Sequence, residues 1–280
     1  MGKVAVLGDI GGQINVFKDA VASLGGDPEN AVLPLDTQLI QVGDIVRRHN
    51  SPDLDSVACA AYVDQLMLNN PGQYIQVMGN HEMPSLGGQI DPNWTLLNID
   101  PADALIRKWW NKKSMYLAAG LIHSDGRETL ITHAGMNSNY HLSLGGHGMV
   151  DTVQKLNGMV GGRLSAFERP GYLVKRDYDR GADFLWSLVG LELYETWYEK
   201  IMPFEQIHGH CCSYRWDVKD FWSDIPARAR VDAVINEDQR YMITVDSHGN
   251  TFRTVDWVLG NKTEHQRWEV LVLEDCEIVL

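Results

Sequence analysis

Five apolar, strand-like runs in this chain each stop at a residue that can ligate a metal. Val4-Ala5-Val6-Leu7 runs into Gly8-Asp9, and Leu39-Ile40-Gln41-Val42 runs into Gly43-Asp44. Tyr74-Ile75-Gln76-Val77-Met78 leads to Gly79-Asn80-His81-Glu82, and Leu130-Ile131-Thr132 leads to His133-Ala134-Gly135. Phe204-Glu205-Gln206-Ile207 leads to His208-Gly209-His210. In α/β sheets ligands bind beyond the carboxyl ends of the strands. Strands stopping at Asp, Asp, Asn, His and His therefore predict oxygen and imidazole ligands gathered at one edge. That donor set suits Mn, Fe or Zn better than a soft thiolate site does. Each residue alone also reads as an ordinary turn residue after a strand; the recurrence is what points to a site.

The spacing between the runs predicts crossover helices and a largely parallel sheet. Val16, Phe17, Ala20, Val21 and Leu24 recur at helical spacing, and Gly25-Gly26 can end that helix. Ser51-Pro52 is a suitable helix start, followed by an apolar stripe of Leu54, Val57, Ala58 and Ala61, and Asn70-Pro71-Gly72 stops it. Pro101 to Lys112 reads as a short helix ending in Trp109 and Trp110. Residues 136–203 form a long connection with little strand character, closed by a helix from about Glu192 to Ile201. A connection this long between two ligand-bearing strands is expected to be a lid or cap. His141 and His147, in its Gly-rich part, read as surface loop residues. Tyr241–Val245 and Trp268–Leu273 read as strands. No linker divides the chain, so residues 1–280 are expected to form a single domain.

Formal net charge is −13, from 24 Lys+Arg against 37 Asp+Glu. That argues against binding large nucleic acids, which needs a basic footprint. It leaves phosphorylated substrates open, because bound metal ions supply local positive charge. The four cysteines, Cys59, Cys211, Cys212 and Cys276, make no framework of the secreted type. No signal peptide or membrane-spanning run is expected, and the expected compartment is the cytoplasm. Composition leaves the oligomeric state open.

At the five run ends the chain resembles the calcineurin-like metallophosphoesterases. That family reads GDxHG, GDxxDRG, GNHE, a lone His after a strand, and GH. The matching stretches here are Gly8-Asp9-Ile10-Gly11-Gly12, Gly43 to His49, Gly79-Asn80-His81-Glu82, His133-Ala134-Gly135 and Gly209-His210, in the same order. The resemblance implies an αββα sandwich of two mixed β-sheets flanked by helices, one or two divalent metals (Mn, Fe or Zn), and hydrolysis of a phosphate ester. It implies Asp9, Asp44, Asn80, His133 and His210 as metal ligands, with Asp44 bridging and His210 chosen over His208. It also implies His81 as the general acid and Arg48 as a holder of a phosphate oxygen. Leu185-Trp186-Ser187 is similar to the LWS stretch of the phosphoprotein-phosphatase branch. A small phosphorylated substrate or a phosphoprotein is the expected partner.

Three departures bear on that reading. Gly11 stands where the family has a His ligand of the first metal, so the Asp9 side is expected to be depleted. Arg47 stands where the family has the Asp that supports the catalytic His. Cys212 stands where some members carry a second His. A catalytically weakened fold that binds a phosphorylated ligand is the alternative they suggest.

Overall fold

Strand β1 (Lys3–Leu7) is buried on both faces from Val4 onward, as only a central strand between two layers can be. Val4 and Val6 enter one apolar cluster, and Ala5 and Leu7 enter another. The period of two along the strand thus separates two cores. A computed structural model of the chain describes residues 2–46, 55–92, 99–198, 200–211, 214–215, 220–221, 234–236, 241–245, 249–255 and 270–280.

After β1 come α1 (Ile14–Ser23), β2 (Thr37–Gln41), α2 (Ser56–Asn69), β3 (Tyr74–Val77), α3 (Asp100–Lys112), β4 (Met115–Tyr116), β5 (Ala119–His123) and β6 (Glu128–Ile131). Next are α4 (Ser138–Leu144), α5 (Met149–Asn157), α6 (Tyr172–Lys175), and a π-helical turn over Val189–Tyr194 that runs into α7 (Glu195–Trp197). The chain ends in β7 (Glu205–His208), β8 (Tyr214–Arg215), β9 (Asp220–Phe221), β10 (Val234–Asn236), β11 (Tyr241–Val245), β12 (Thr251–Thr254), β13 (Leu271–Glu274) and β14 (Cys276–Val279).

These strands make two mixed sheets and a small ribbon of β8 and β9. The first sheet has the order β13-β1-β2-β3-β4 and the second β10-β11-β12-β7-β6-β5-β14. Strands β1 to β4 are mutually parallel, and the register pairs Val6 with Ile40 and Ile40 with Ile75. Their carboxyl ends therefore coincide. In the second sheet β6 and β7 are parallel, with Ile131 beside Ile207. Between the sheets lies a layer built from Val4, Val6, Ile40, Val42, Ile75 and Val77 on one side and Ala119, Leu121, Ile131 and Ile207 on the other. On the outer faces α2 packs on β3, α3 on β4, and α5 on β5 and β6. This is the expected αββα sandwich.

Three local expectations are corrected. The buried face of α2 is Cys59, Ala60, Tyr62, Val63 and Leu66, while Val57 and Ala61 are exposed. Apolar residues surround this helix, so periodicity does not select its face; the bulk of Tyr62 and Leu66 does. Its N-cap is Asp55, which accepts from Ala58 N at 2.8 Å, whereas Ser51-Pro52 lies outside the described residues. His141 is no surface loop residue: it lies buried on α4 against the rings of Trp197 and Phe204. Asn137, accepting from Tyr140 N at 2.8 Å, starts that helix early enough to include it. The helix expected from Glu192 to Ile201 is instead the π-helical turn and the single turn of α7. His147 is exposed.

Candidate metal centre

Asp9, Asp44 and Asn80 come just after β1, β2 and β3, and His133 and His210 just after β6 and β7, so both sheets deliver side chains to one edge. A backbone bond carries the β6–β7 pairing past the strand ends: Gly209 N donates to His133 O at 2.8 Å. Asp44 and His210 sit at φ +54° and +68°. Such left-handed non-glycine conformations cost of order 1–3 kcal/mol each and persist only where the surroundings impose them. Two glycines permit the crowding. A Cβ at Gly79 would lie 2.2 Å from Asp44 Oδ1, and one at Gly209 would lie 2.4 Å from Asp9 Oδ1.

Four side chains converge. His133 Nδ1 donates to the carbonyl of Val42 at 2.9 Å, which leaves Nε2 with a lone pair. That Nε2 is 2.8 Å from Asn80 Oδ1, 3.1 Å from His210 Nδ1 and 3.4 Å from Asp44 Oδ1. His210 Nδ1 is 3.1 Å from Asn80 Oδ1. Ligand atoms of Asp44, His133 and His210 all lie within 4.8 Å of one another. With its oxygen inward, Asn80 completes a set of acceptors around one point, and a cation satisfies such a set. Turned over, the Asn80 nitrogen would donate to the same His133, His210 and Asp44 atoms at 2.8–3.2 Å. The inward oxygen is the orientation a metal requires. His210 Nε2 is buried and has no hydrogen-bond partner among the described residues.

The histidines are held neutral. Burial pushes the His133 pKa well below its ordinary value, and the neighbouring His210 adds to the effect. Burial first, and His208 second, lower His210 to about 3. A neutral imidazole is the form that binds metal. The residues present thus fit a divalent ion held by one carboxylate, one amide oxygen and two imidazoles.

Asp9 lies at the margin of this set. Both of its oxygens are 3.2 Å from His210 N, and Oδ1 is 3.9 Å from His133 Nδ1. Gly11, in the position of the missing His, donates its N–H to Asp44 O at 2.7 Å, and Gly12 N donates to Ile45 O at 2.9 Å. The first loop is laced to the second by backbone bonds. His208 faces elsewhere, with Nε2 3.3 Å from Thr254 Oγ1. His81 is buried beside Asp44; its Nδ1 donates to Val46 O at 3.0 Å, and its Nε2 is 3.5 Å from Asp44 Oδ2. Arg47, Arg48 and Cys212 lie outside the described residues.

Sequence reasoning assigned no role to Glu82. Its fully buried carboxylate accepts from Asp44 N at 2.9 Å and Gly79 N at 2.8 Å through Oε2, and from Ile45 N at 3.0 Å through Oε1. One side chain thus fixes the loops carrying Asp44 and Asn80. Its place as the last residue of the Gly-Asn-His-Glu run was the available signal.

A model of the calcineurin-like phosphoesterase family matches residues 2–272. No curated protein matches the chain. Among solved structures, it is similar to a cold-active protein-tyrosine phosphatase of a psychrophilic Shewanella, at 15% identity and a TM-score of 0.46, over 89% of this chain and 76% of that one. It is also similar to a protein serine/threonine phosphatase from Saccharomyces cerevisiae, at 14% identity and a TM-score of 0.46, over 98% of this chain and 80% of that one. Likenesses of that degree say nothing of substrate, and the assignment rests on the family model. The chain belongs to the calcineurin-like phosphoesterases.

Proposed function

We propose that this protein hydrolyses a phosphate ester by direct attack of water at a divalent metal centre formed by Asp44, Asn80, His133 and His210. The observation that carries the reading is the convergence of those acceptors: His133 Nε2 lies 2.8–3.4 Å from Asn80 Oδ1, His210 Nδ1 and Asp44 Oδ1. A divalent ion there supplies Lewis-acid polarisation of the phosphoryl group and acidifies water. The donor chemistry favours Mn, Fe or Zn. Asp9 is the ligand proposed for a second, weaker position, because Gly11 brings no side chain to it.

The protein's own groups supply the rest. Asp44 is held through Glu82, which grips its backbone, and its carboxylate accepts from His81 N at 2.9 Å. His81 has its Nδ1 proton committed to Val46 O, so Nε2 is the atom that carries the transferable proton toward the leaving oxygen. Val46 O holds that ring without adding charge. Arg48 is proposed to grip a phosphate oxygen. Residues 182–187 of the 136–203 segment, the proposed cap, stand against the site: Phe184 O accepts from Ala134 N at 2.7 Å, and the Trp186 ring is 6.4 Å from that of His210. The proposed substrate is a small phosphorylated compound or a phosphoprotein, consistent with the acidic net charge. Cys59 and Cys276 are free thiols, which supports a reducing cytoplasm as the compartment. Among the described residues no helix is long and apolar enough to cross a membrane.

Gly11 and Arg47 favour a second reading, a weakened enzyme that retains a phosphorylated ligand. The test is hydrolysis of p-nitrophenyl phosphate and bis-p-nitrophenyl phosphate by metal-stripped protein, with Mn, Fe, Zn or Mg added back separately. Metal-dependent turnover that Asp44→Asn abolishes is the expected result. Folded protein that shows no turnover above that control with any metal points to the binding role instead.

A further inference from the structure

Gln41 belongs to none of the ligand-bearing motifs, yet it lies directly beneath the site. Its neighbours Ile40 and Val42 enter the layer between the sheets, so Gln41 faces the other side of the first sheet, fully buried. An apolar residue is the ordinary occupant of such a position. The amide is instead fully engaged. Nε2 donates to Gly8 O at 3.0 Å and to Gly43 O at 2.6 Å. Oε1 accepts from Gly43 N at 2.9 Å and from Gln76 Nε2. Gln76, also fully buried, accepts from the Tyr74 hydroxyl at 2.6 Å and donates to Val77 O at 2.7 Å. Both donors and both lone pairs of Gln41 are thus used.

The two glycines it ties are each one residue ahead of a proposed metal ligand. Gly8 precedes Asp9, and Gly43 precedes Asp44. Both lie just past the strand ends, where the parallel ladder no longer supplies partners. We propose that Gln41 is a positioning residue for the metal centre: by clamping Gly8 and Gly43 to one amide, it sets where Asp44 presents its carboxylate to the point shared by Asn80, His133 and His210. Glu82 grips the Asp44 loop from the Asn80 side, and Gln41 grips it from the strand side.

This inference rests on the proposed metal centre, and the experiment separates the two. Mn²⁺ is titrated calorimetrically into the metal-stripped full chain, as wild type, Gln41→Leu, Gln41→Asn, Asn70→Leu and Asp44→Asn, with a melting curve for each. Partners that orient metal ligands typically contribute about 10- to 100-fold to metal affinity. Gln41→Leu is expected to weaken Mn²⁺ binding by about tenfold or more. Gln41→Asn keeps an amide but falls one methylene short of the two carbonyls, and is expected to weaken binding in the same direction. Asn70 is the structural control: its buried amide braces Leu33 N and Ala31 O near the opposite ends of the strands. Asn70→Leu should lower the melting temperature and leave Mn²⁺ affinity unchanged. A Gln41→Leu protein that melts earlier but binds Mn²⁺ like wild type overturns the proposal; if that variant does not fold, wild-type affinity in Gln41→Asn overturns it. Wild-type protein that takes up no Mn²⁺, or Asp44→Asn that binds it undiminished, overturns the metal centre itself and the proposal with it.

Discussion

Gly79 shows how little space separates the functional residues. Its missing side chain leaves room for Asp44, whose Oδ1 and N would lie 2.2 and 2.3 Å from a Cβ there. Backbone cannot yield as a flexible side-chain tip can. Gly79→Ala is therefore expected to cost about 1–3 kcal/mol of stability and to impair metal binding as Asp44 is displaced. Urea unfolding and Mn²⁺ titration measure the two effects, and an alanine variant with unchanged affinity would show that Asp44 has slack. His81 makes the complementary case. It stands beside Asp44 but outside the acceptor set, so His81→Asn should lower kcat by roughly 10²–10⁴ while Mn²⁺ affinity stays near wild type. A parallel loss of affinity would place His81 among the ligands.

The loop of residues 169–183 is closed by a buried carboxylate. Asp183 is fully buried, accepts from Leu185 N at 2.7 Å and also accepts from Arg169 N. Burial raises its pKa to about 7, against the pull of those backbone bonds. A carboxyl whose folded pKa is raised contributes stability that is present below its unfolded value, near 3.8, and is lost as pH rises through the folded value. The loss from this one group should run between about pH 4 and 7, at up to about 1.4 kcal/mol per pH unit. Asp183→Asn removes it. Subtracting the variant's unfolding free energy from that of wild type at several pH values should give a difference that falls with pH across that window. A flat difference would mean that the carboxylate is not desolvated as its burial implies.

At the scale of the molecule, the candidate site is a seam. Asp44 and Asn80 come from one sheet and His133 and His210 from the other, so an ion bound at the proposed centre would tie the two together. Ligand binding to the folded state alone stabilises by RT ln(1 + [L]/Kd), about 2.7 kcal/mol at a hundredfold excess over Kd. Mn²⁺ should raise the melting temperature of wild type and leave that of Asp44→Asn unchanged. The layer between the sheets sets the spacing of the seam. Ile40 is fully buried in it, and Ile40→Ala is expected to cost about 2–5 kcal/mol. Calorimetric melts of the three proteins, with and without metal, test both statements.

The class of fold and the identity of the converging residues were legible in the chain because both are written in local order. Strand runs have a period of two, crossover helices intervene, and a ligand type recurs after each strand. What stayed hidden was whatever depends on partners distant in sequence. Helix α2 is apolar around its circumference, so only packing could choose the face of Cys59, Tyr62 and Leu66. His141 reads as a loop residue until the rings of Trp197 and Phe204 close over it. Glu82 and Gln41 are ordinary polar letters until folding brings backbone loops to their side chains. Sequence alone determined which chemical groups reach the strand ends, since their order along the chain dictates it. Tertiary structure decided which of them share one point and what holds them there, because distances between two sheets arise only when both are packed.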